Sequence, residues 1–163
     1  MNDPRKNPAL TRALNLLSKR SYSEKRLRVK LSENFRGGTR KRSLKLSDID
    51  RAINRLREIG FLDDNKFAQN LAHEMAEFRH FGPRRIYLEL IKKGIEKNLA
   101  KEIVSSIEHP FDESLDEVLI KYLKKSKNIP REKIYNRTLG FLMRRGFSYE
   151  MAKNAFFKNK DAV

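Results

Sequence analysis

Cysteine is missing from all 163 residues. That absence excludes disulfides, thiolate catalysis, zinc ribbons and iron–sulfur clusters, and it suits a reducing cytoplasm. Long apolar runs are missing too. The longest uncharged apolar stretch, Leu139-Gly140-Phe141-Leu142-Met143, is far too short to span a bilayer, so no membrane association is expected. Met1 to Pro8 contains no apolar h-region, so no signal peptide is expected there. There is no Gly-Lys-Ser/Thr phosphate loop and no Gly-x-Gly-x-x-Gly, and Gly37-Gly38 alone is no nucleotide cradle. Acidic residues are scarce: 21 stand against 37 Lys and Arg, leaving a net charge of +16, and charged residues reach 36%, well above the usual quarter. So much charge of one sign repels itself in a folded chain. A polyanionic partner, nucleic acid or a nucleoprotein, is the reason to keep it.

What is present is a repeated pattern. Arg20-Ser21-Tyr22-Ser23-Glu24-Lys25-Arg26-Leu27 is followed four residues on by Leu31. His80-Phe81-Gly82-Pro83-Arg84-Arg85-Ile86 is followed by Leu90, and Gly146-Phe147-Ser148-Tyr149-Glu150-Met151-Ala152 by Phe156. Each copy holds an aromatic, a small residue, a polar turn and apolar residues at i and i+4. The aromatics stand 59 and 66 residues apart, the length of a supersecondary unit used several times. Such units bury their apolar faces only by stacking on neighbours.

Apolar spacing is helical nearly everywhere. Leu10, Leu14 and Leu17 predict a first helix; Leu27, Leu31 and Phe35 a second; Ile49, Ile53, Leu56 and Ile59 a third, opened by a Ser47/Asp50 capping box and closed by Gly60. Asp63 or Asp64 is expected to cap the fourth, in which Phe67, Leu71, Met75 and Phe78 form one stripe, flanked by Ala68, Ala72 and Ala76, whose small side chains allow close helix packing. Gly82-Pro83 starts a fifth helix, with Ile86, Leu90 and Ile91 inward, and Gly94 closes it; Ile95, Leu99, Ile103 and Ile107 make a sixth. Breaks at His109-Pro110, Ile129-Pro130 and Gly146 separate three more. The expectation is an all-α chain of three tandem three-helix, helix-turn-helix-like repeats forming an elongated body, with repeats over 1–60, 61–108 and 109–163. Lys93-Gly94-Ile95 and Arg145-Gly146-Phe147 match in register as the turns before the last helix of the second and third repeats.

The positive charge is segregated. Between Glu24 and Lys45 nine basic residues face two acidic ones. Lys25, Arg26, Arg28 and Lys30 share a helix, while Arg40, Lys41 and Arg42 lie in a glycine-bearing basic loop over 36–46. A second run, Lys121 to Arg137, has seven basic residues against Glu132 and includes Lys124 and Lys125. Smaller groups are Arg84 and Arg85 with Lys92 and Lys93, where Glu89 partly neutralises the helix face, and Arg144 with Arg145. These fifteen residues are the candidate contacts for a polyanion.

Catalytic constellations are lacking, and neither a metal nor a cofactor is expected. His73 and His80 would stand roughly 10 Å apart along one helix, too far to share a metal. Asp63-Asp64 reads as a helix cap rather than an acid–base pair. Tyr22, Phe81 and Phe147 read as buried staples at helix corners rather than base-stacking platforms.

Gly60-Phe61-Leu62-Asp63-Asp64 with Phe67, then Phe81-Gly82-Pro83-Arg84-Arg85-Ile86, Glu89-Leu90 and Lys93-Gly94-Ile95, resembles the signature of the RecX family of RecA regulators. Ala13-Leu14 through Ser23-Glu24, Leu27 and Lys30-Leu31 resembles its opening helix pair, and Arg144-Arg145-Gly146-Phe147-Ser148 its closing turn. The resemblance implies a curved array of three-helix repeats with a basic concave side. It also implies binding to RecA and to the RecA–single-stranded DNA filament, in its groove, which modulates and usually inhibits ATPase, coprotease and strand-exchange activities. Direct DNA binding with little sequence preference is implied as well, with no enzymatic activity and no cofactor, in a cytoplasmic protein expected to be a monomer. The stretch Arg36 to Leu46 is longer and more basic than the family pattern. The rival expectation is a helix-turn-helix transcriptional regulator. It is disfavoured because the chain has a single glutamine, Gln69, and its candidate recognition helices open with Glu24 or Pro83.

Overall fold

The computed structural model describes residues 7–33, 44–126 and 128–159. Among them are nine α-helices and no strand, the all-α helical repeat fold expected. They are α1 Pro8–Leu17, α2 Glu24–Ser32, α3 Leu46–Glu58, α4 Asp64–Glu77, α5 Pro83–Lys92, α6 Lys97–Ser105, α7 Phe111–Lys125, α8 Arg131–Arg144 and α9 Tyr149–Lys158. None is long and apolar enough to cross a membrane. The chain divides into two compact units, one of Met1–Ala68 with Lys92–Glu96 and one of Gln69–Ile91 with Lys97–Val163.

In the first unit α1, α2 and α3 pack on one another around Leu10, Ala13, Leu27, Leu31, Ile49, Ile53, Leu56 and Leu62. The helix ends are closed by short polar side chains. Asn7 Oδ1 accepts from the N–H groups of Ala9 (3.0 Å) and Leu10 (3.3 Å), with Pro8 at the first helical position, where a missing N–H is no loss. Ser23 Oγ accepts from Arg26 N at 3.3 Å. At the other end of α2, Arg12 Nη2 donates to the carbonyls of Lys30 (3.1 Å) and Glu33 (3.2 Å), a cation placed where the helix dipole is negative.

In the second unit α7, α8 and α9 pack together around Leu115, Leu119, Leu123, Leu142, Phe147 and Ala152. Ser148 caps α9 through Met151 N at 3.2 Å. Asp116 ties α9 back to α7 through Lys158 Nζ at 2.5 Å and Asn159 Nδ2 at 2.9 Å.

Several helix details differ from the sequence expectation. Helix α3 begins at Leu46, with its N-cap Lys45 two residues before the predicted cap Ser47, and Lys45 makes no side-chain cap. Asp50 is paired instead with Arg28 of α2 and Asp48 with Arg51 at 2.5 Å, charge-assisted contacts that engage both carboxylates. On α4 Met75 of the apolar stripe is buried with the flanking Ala68, Ala72 and Ala76, whose small side chains let the helix pack closely, while Phe67 and Leu71 are half-buried and Phe78 is 77% exposed. Of the three corner aromatics only Phe147 is buried; Tyr22 and Phe81 are half-buried. Ile59 falls at the C-cap of α3 and is largely exposed.

Candidate functional site

The predicted basic residues separate into groups that the two units treat differently. Arg40, Lys41 and Arg42 of the basic loop lie outside the described residues.

In the first unit, the start of α2 meets the turn after α5. Ser23 Oγ donates to the carbonyl of Lys93 and Arg26 Nε donates to that of Lys92 at 3.2 Å. Gly94 follows at φ +93°, close enough that a Cβ there would stand 3.0 Å from Lys25 Cβ. Residues nearly seventy apart in sequence, Lys25 and Arg26 with Lys92 and Lys93, are thereby brought to one place, all four exposed. Among the described residues Lys25 and Lys93 form no ion pair, so their charge is open to a ligand. Arg28 and Lys30 are otherwise engaged. Arg28 pairs with Asp50 and, at 3.2 Å, with Glu24, and Lys30 pairs with Glu33 at 2.7 Å. The Asp50 hydrogen bond, ahead of the Glu24 contacts and against the effect of burial, raises the Arg28 pKa above its ordinary value. The neighbouring acidic residues are also committed. Asp63 caps α4 through Asn65 N (2.9 Å) and Lys66 N (3.0 Å), and Asp64 Oδ1 accepts from Glu24 N at 2.7 Å. Burial pushes the Asp64 carboxyl up, with Glu24 N–H opposing. The predicted capping role of this pair therefore stands, divided between two helix starts.

In the second unit, the start of α5 meets the turn after α8 in the same way. Gly82 N donates to Arg145 O at 2.9 Å and Arg84 N to Gly146 O at 3.2 Å. Here the cations are used by the fold. Arg145 donates to the carbonyls of Arg79 and His80 (3.3 Å to the latter) and lies over Phe81, 4.7 Å from its ring centre. Burial lowers its pKa from the ordinary arginine value and leaves it charged, as arginine remains in proteins. Arg85 pairs with Glu89 at 3.0 Å. Arg84 remains exposed. Lys124 and Lys125 end α7 and Arg144 ends α8; all are exposed and without an ion pair among the described residues.

Sequence reasoning missed a polar network in the second unit. Glu77 at the end of α4 meets His109 Nδ1 at 2.9 Å, and His109 Nε2 meets Ser114 Oγ at 2.7 Å, which also contacts His80 Nδ1 at 3.2 Å. The His109 hydrogen bond holds the Glu77 carboxyl below its usual range. The connectivity is that of a nucleophile, a base and an orienting carboxylate, but Ser114 is only 5% exposed, so no carbonyl substrate reaches it. No spacing signal announced this network, since its members come from two segments, Glu77 with His80 and His109 with Ser114, that only the fold brings together.

Two family models match the chain: "RecX, second three-helix domain" over residues 63–103 and "RecX, third three-helix domain" over 112–156, together just over half of its length. Among curated proteins, the chain is 28% identical over 151 residues to the Regulatory protein RecX of Clostridioides difficile strain 630, covering 92% of this chain and 67% of that one. It is 31% identical to that of Bacillus velezensis, covering 90% and 53%, and 28% identical to that of Chlorobium phaeobacteroides, covering 90% of each. The chain thus spans about half the length of some curated relatives and most of the length of others. Among solved structures, that of RecX from Lactobacillus salivarius matches with a TM-score of 0.75 at 23% identity, covering 95% of this chain and 96% of that one. A structure of regulatory protein RecX matches with a TM-score of 0.74 at 21% identity, covering 94% and 70%. These two share the fold.

Proposed function

From the premise that the chain belongs to the RecX family of regulatory proteins, we propose that it is a non-catalytic regulator that binds the RecA recombinase and its filament on single-stranded DNA, and modulates, chiefly by inhibition, the filament's work in recombination, DNA repair and the SOS response. It acts in the cytoplasm, as a monomer, and touches DNA directly with little regard for sequence. The observation that supports this most directly is the convergence of Lys25 and Arg26 with Lys92 and Lys93 in the first unit. Exposed cations held on a rigid backbone joint suit phosphates and acidic side chains of a nucleoprotein, and their contribution is screened by salt.

Direct reading of base sequence fits less well. A recognition helix must offer its first turn to the major groove. The first turn of α5 is bonded to the Arg145–Gly146 backbone, and that of α2 is tied to Lys93.

The test is ATP turnover by RecA on single-stranded DNA, with and without the chain. Turnover is expected to fall as the chain approaches the filament in stoichiometry, with the effect fading as salt rises. Unchanged turnover at stoichiometric excess and low salt overturns the proposal.

A further inference from the structure

Helix α8 carries a basic face that no ion pair among the described residues uses. Lys133, Arg137 and Arg144 stand at i, i+4 and i+11, within about 40° of arc on an α-helix. All three are exposed, opposite the buried Ile134, Thr138, Leu139 and Leu142. Among the described residues none of the three forms an ion pair, and Glu132 is the only acidic residue of the helix. Between Arg137 and Arg144 lies Gly140, on the same face and well inside the helix, where glycine is disfavoured. Packing does not explain it. A Cβ at 140 would meet a single group, the Arg144 guanidinium at 3.3 Å. The glycine therefore lets that guanidinium lie down over bare backbone. Beside it opens a groove of about 460 Å³ lined by Tyr122, Asn136, Arg137, Gly140 and Arg144. Tyr122 is stacked on Phe141 with ring centres 4.2 Å apart and planes 12° from parallel.

We infer that this groove holds the phosphodiester backbone of a single-stranded nucleic acid. Three cations strung over about 16 Å of helix axis suit a linear polyanion rather than one small anion. Asn136 supplies a neutral donor and acceptor, and Tyr122 an aromatic edge. Tyr122 beside cations is the pairing of a single-strand surface, which takes phosphates on the cations and an unpaired base on the ring, whereas a duplex keeps its bases stacked inside. The inference rests on the reading of the chain as a regulator of nucleoprotein and narrows it to a strand contact in the second unit, on residues separate from the Lys25–Lys93 cluster.

The experiment is anisotropy of a labelled oligothymidylate titrated with the chain alone, without RecA, over a range of salt. R137Q/R144Q is expected to weaken binding roughly tenfold at low salt and to flatten the log–log salt slope by about 1.4, two single-strand phosphates' worth. R137K/R144K is expected to keep most of the slope. G140A, which crowds the Arg144 guanidinium without changing charge, is expected to weaken binding severalfold while its melting temperature stays level or rises. Circular dichroism melting confirms that each variant is folded. Unchanged affinity in R137Q/R144Q overturns the inference. So does competition by polyglutamate, or by a hairpin duplex, as effective as that by unlabelled single strand at equal charge, because the face would then serve an acidic protein or a duplex. RecA turnover is scored separately: if the unsubstituted chain leaves it unchanged while oligonucleotide binding follows these expectations, the regulatory proposal fails and the strand groove stands.

Discussion

The two units contain the same joint built with different atoms. In each, the first turn of one helix docks against a glycine turn at the end of another: Ser23 and Lys25 against Lys93–Gly94 in the first, Gly82 and Arg85 against Arg145–Gly146 in the second. The first joint uses a serine hydroxyl and leaves room for side chains, since the nearest neighbour of an added Cβ at Gly94 is the side chain of Lys25 at 3.0 Å. The second is backbone against backbone. A Cβ on Gly82 would come within 2.6 Å of Phe147 N, and one on Gly146 would overlap Arg85 N and Cβ. The close joint engages Arg145 on two carbonyls and Arg85 on Glu89, with Arg84 exposed, while the looser joint engages Arg26 on the Lys92 carbonyl and leaves Lys25 and Lys93 facing solvent. A motif used twice can thus be structural in one place and available for binding in the other. Sequence counts of lysine and arginine do not distinguish the two.

The sharpest way to break the comparison is to add one methyl group to each turn. Gly146→Ala must relieve both an overlap with backbone and a φ of +96°, and is expected to lose about 3–5 kcal/mol in urea unfolding. Gly94→Ala, at a similar φ of +93° but against a flexible lysine, is expected to lose about 1–3 kcal/mol. Equal losses would mean that the joints are equally tight. Exchanging the turn cations separates their roles more finely. Arg145→Gln is expected to lose about 1–3 kcal/mol through its carbonyl bonds, whereas Lys93→Gln is expected to stay within about 0.5 kcal/mol yet weaken binding to RecA-coated DNA at low salt. A reversed order in paired melting and binding curves would undo the assignment.

The smallest effect is on acid stability. Glu77 titrates below its usual range in the folded chain because His109 holds its carboxylate. A depressed carboxyl stabilises above its unfolded pKa, and that contribution disappears as pH falls through the folded value. Glu77→Gln should therefore flatten the fall in urea midpoint between weakly acidic and acidic pH. In the first unit Glu24 is likewise lowered: burial pushes it up, but hydrogen bonds from Arg57 and Arg28 outweigh that. Glu24→Gln should flatten the same window, and the two variants together should flatten it further.

Helix identities and most breaks were legible along the chain because they depend on local physics. Apolar period, proline, glycine and short polar caps act over a few residues, and Asp63, Gly82-Pro83, Gly94 and Gly146 all serve the turns expected of them. The misplaced start of α3 shows where local reasoning stops: Asp50 is a good capping residue by local rules, yet it pairs with Arg28 from another helix. Helix α4 teaches the same lesson for packing, since Met75 and Phe78 share one apolar stripe, yet the fold buries the first and leaves the second exposed.

The functional surface divides along the same line. Net charge, the family signature and the positions of the cations follow from composition and order alone, because they need no partner to exist. Which cations remain open to a ligand is a property of folded geometry. Arg145 and Arg28 are indistinguishable in sequence from Arg137 and Arg144, yet carbonyls and carboxylates brought from distant segments engage the first pair and leave the second pair exposed. Charge is written residue by residue, but its neutralisation requires two groups within hydrogen-bond reach, and only the folded chain sets that distance.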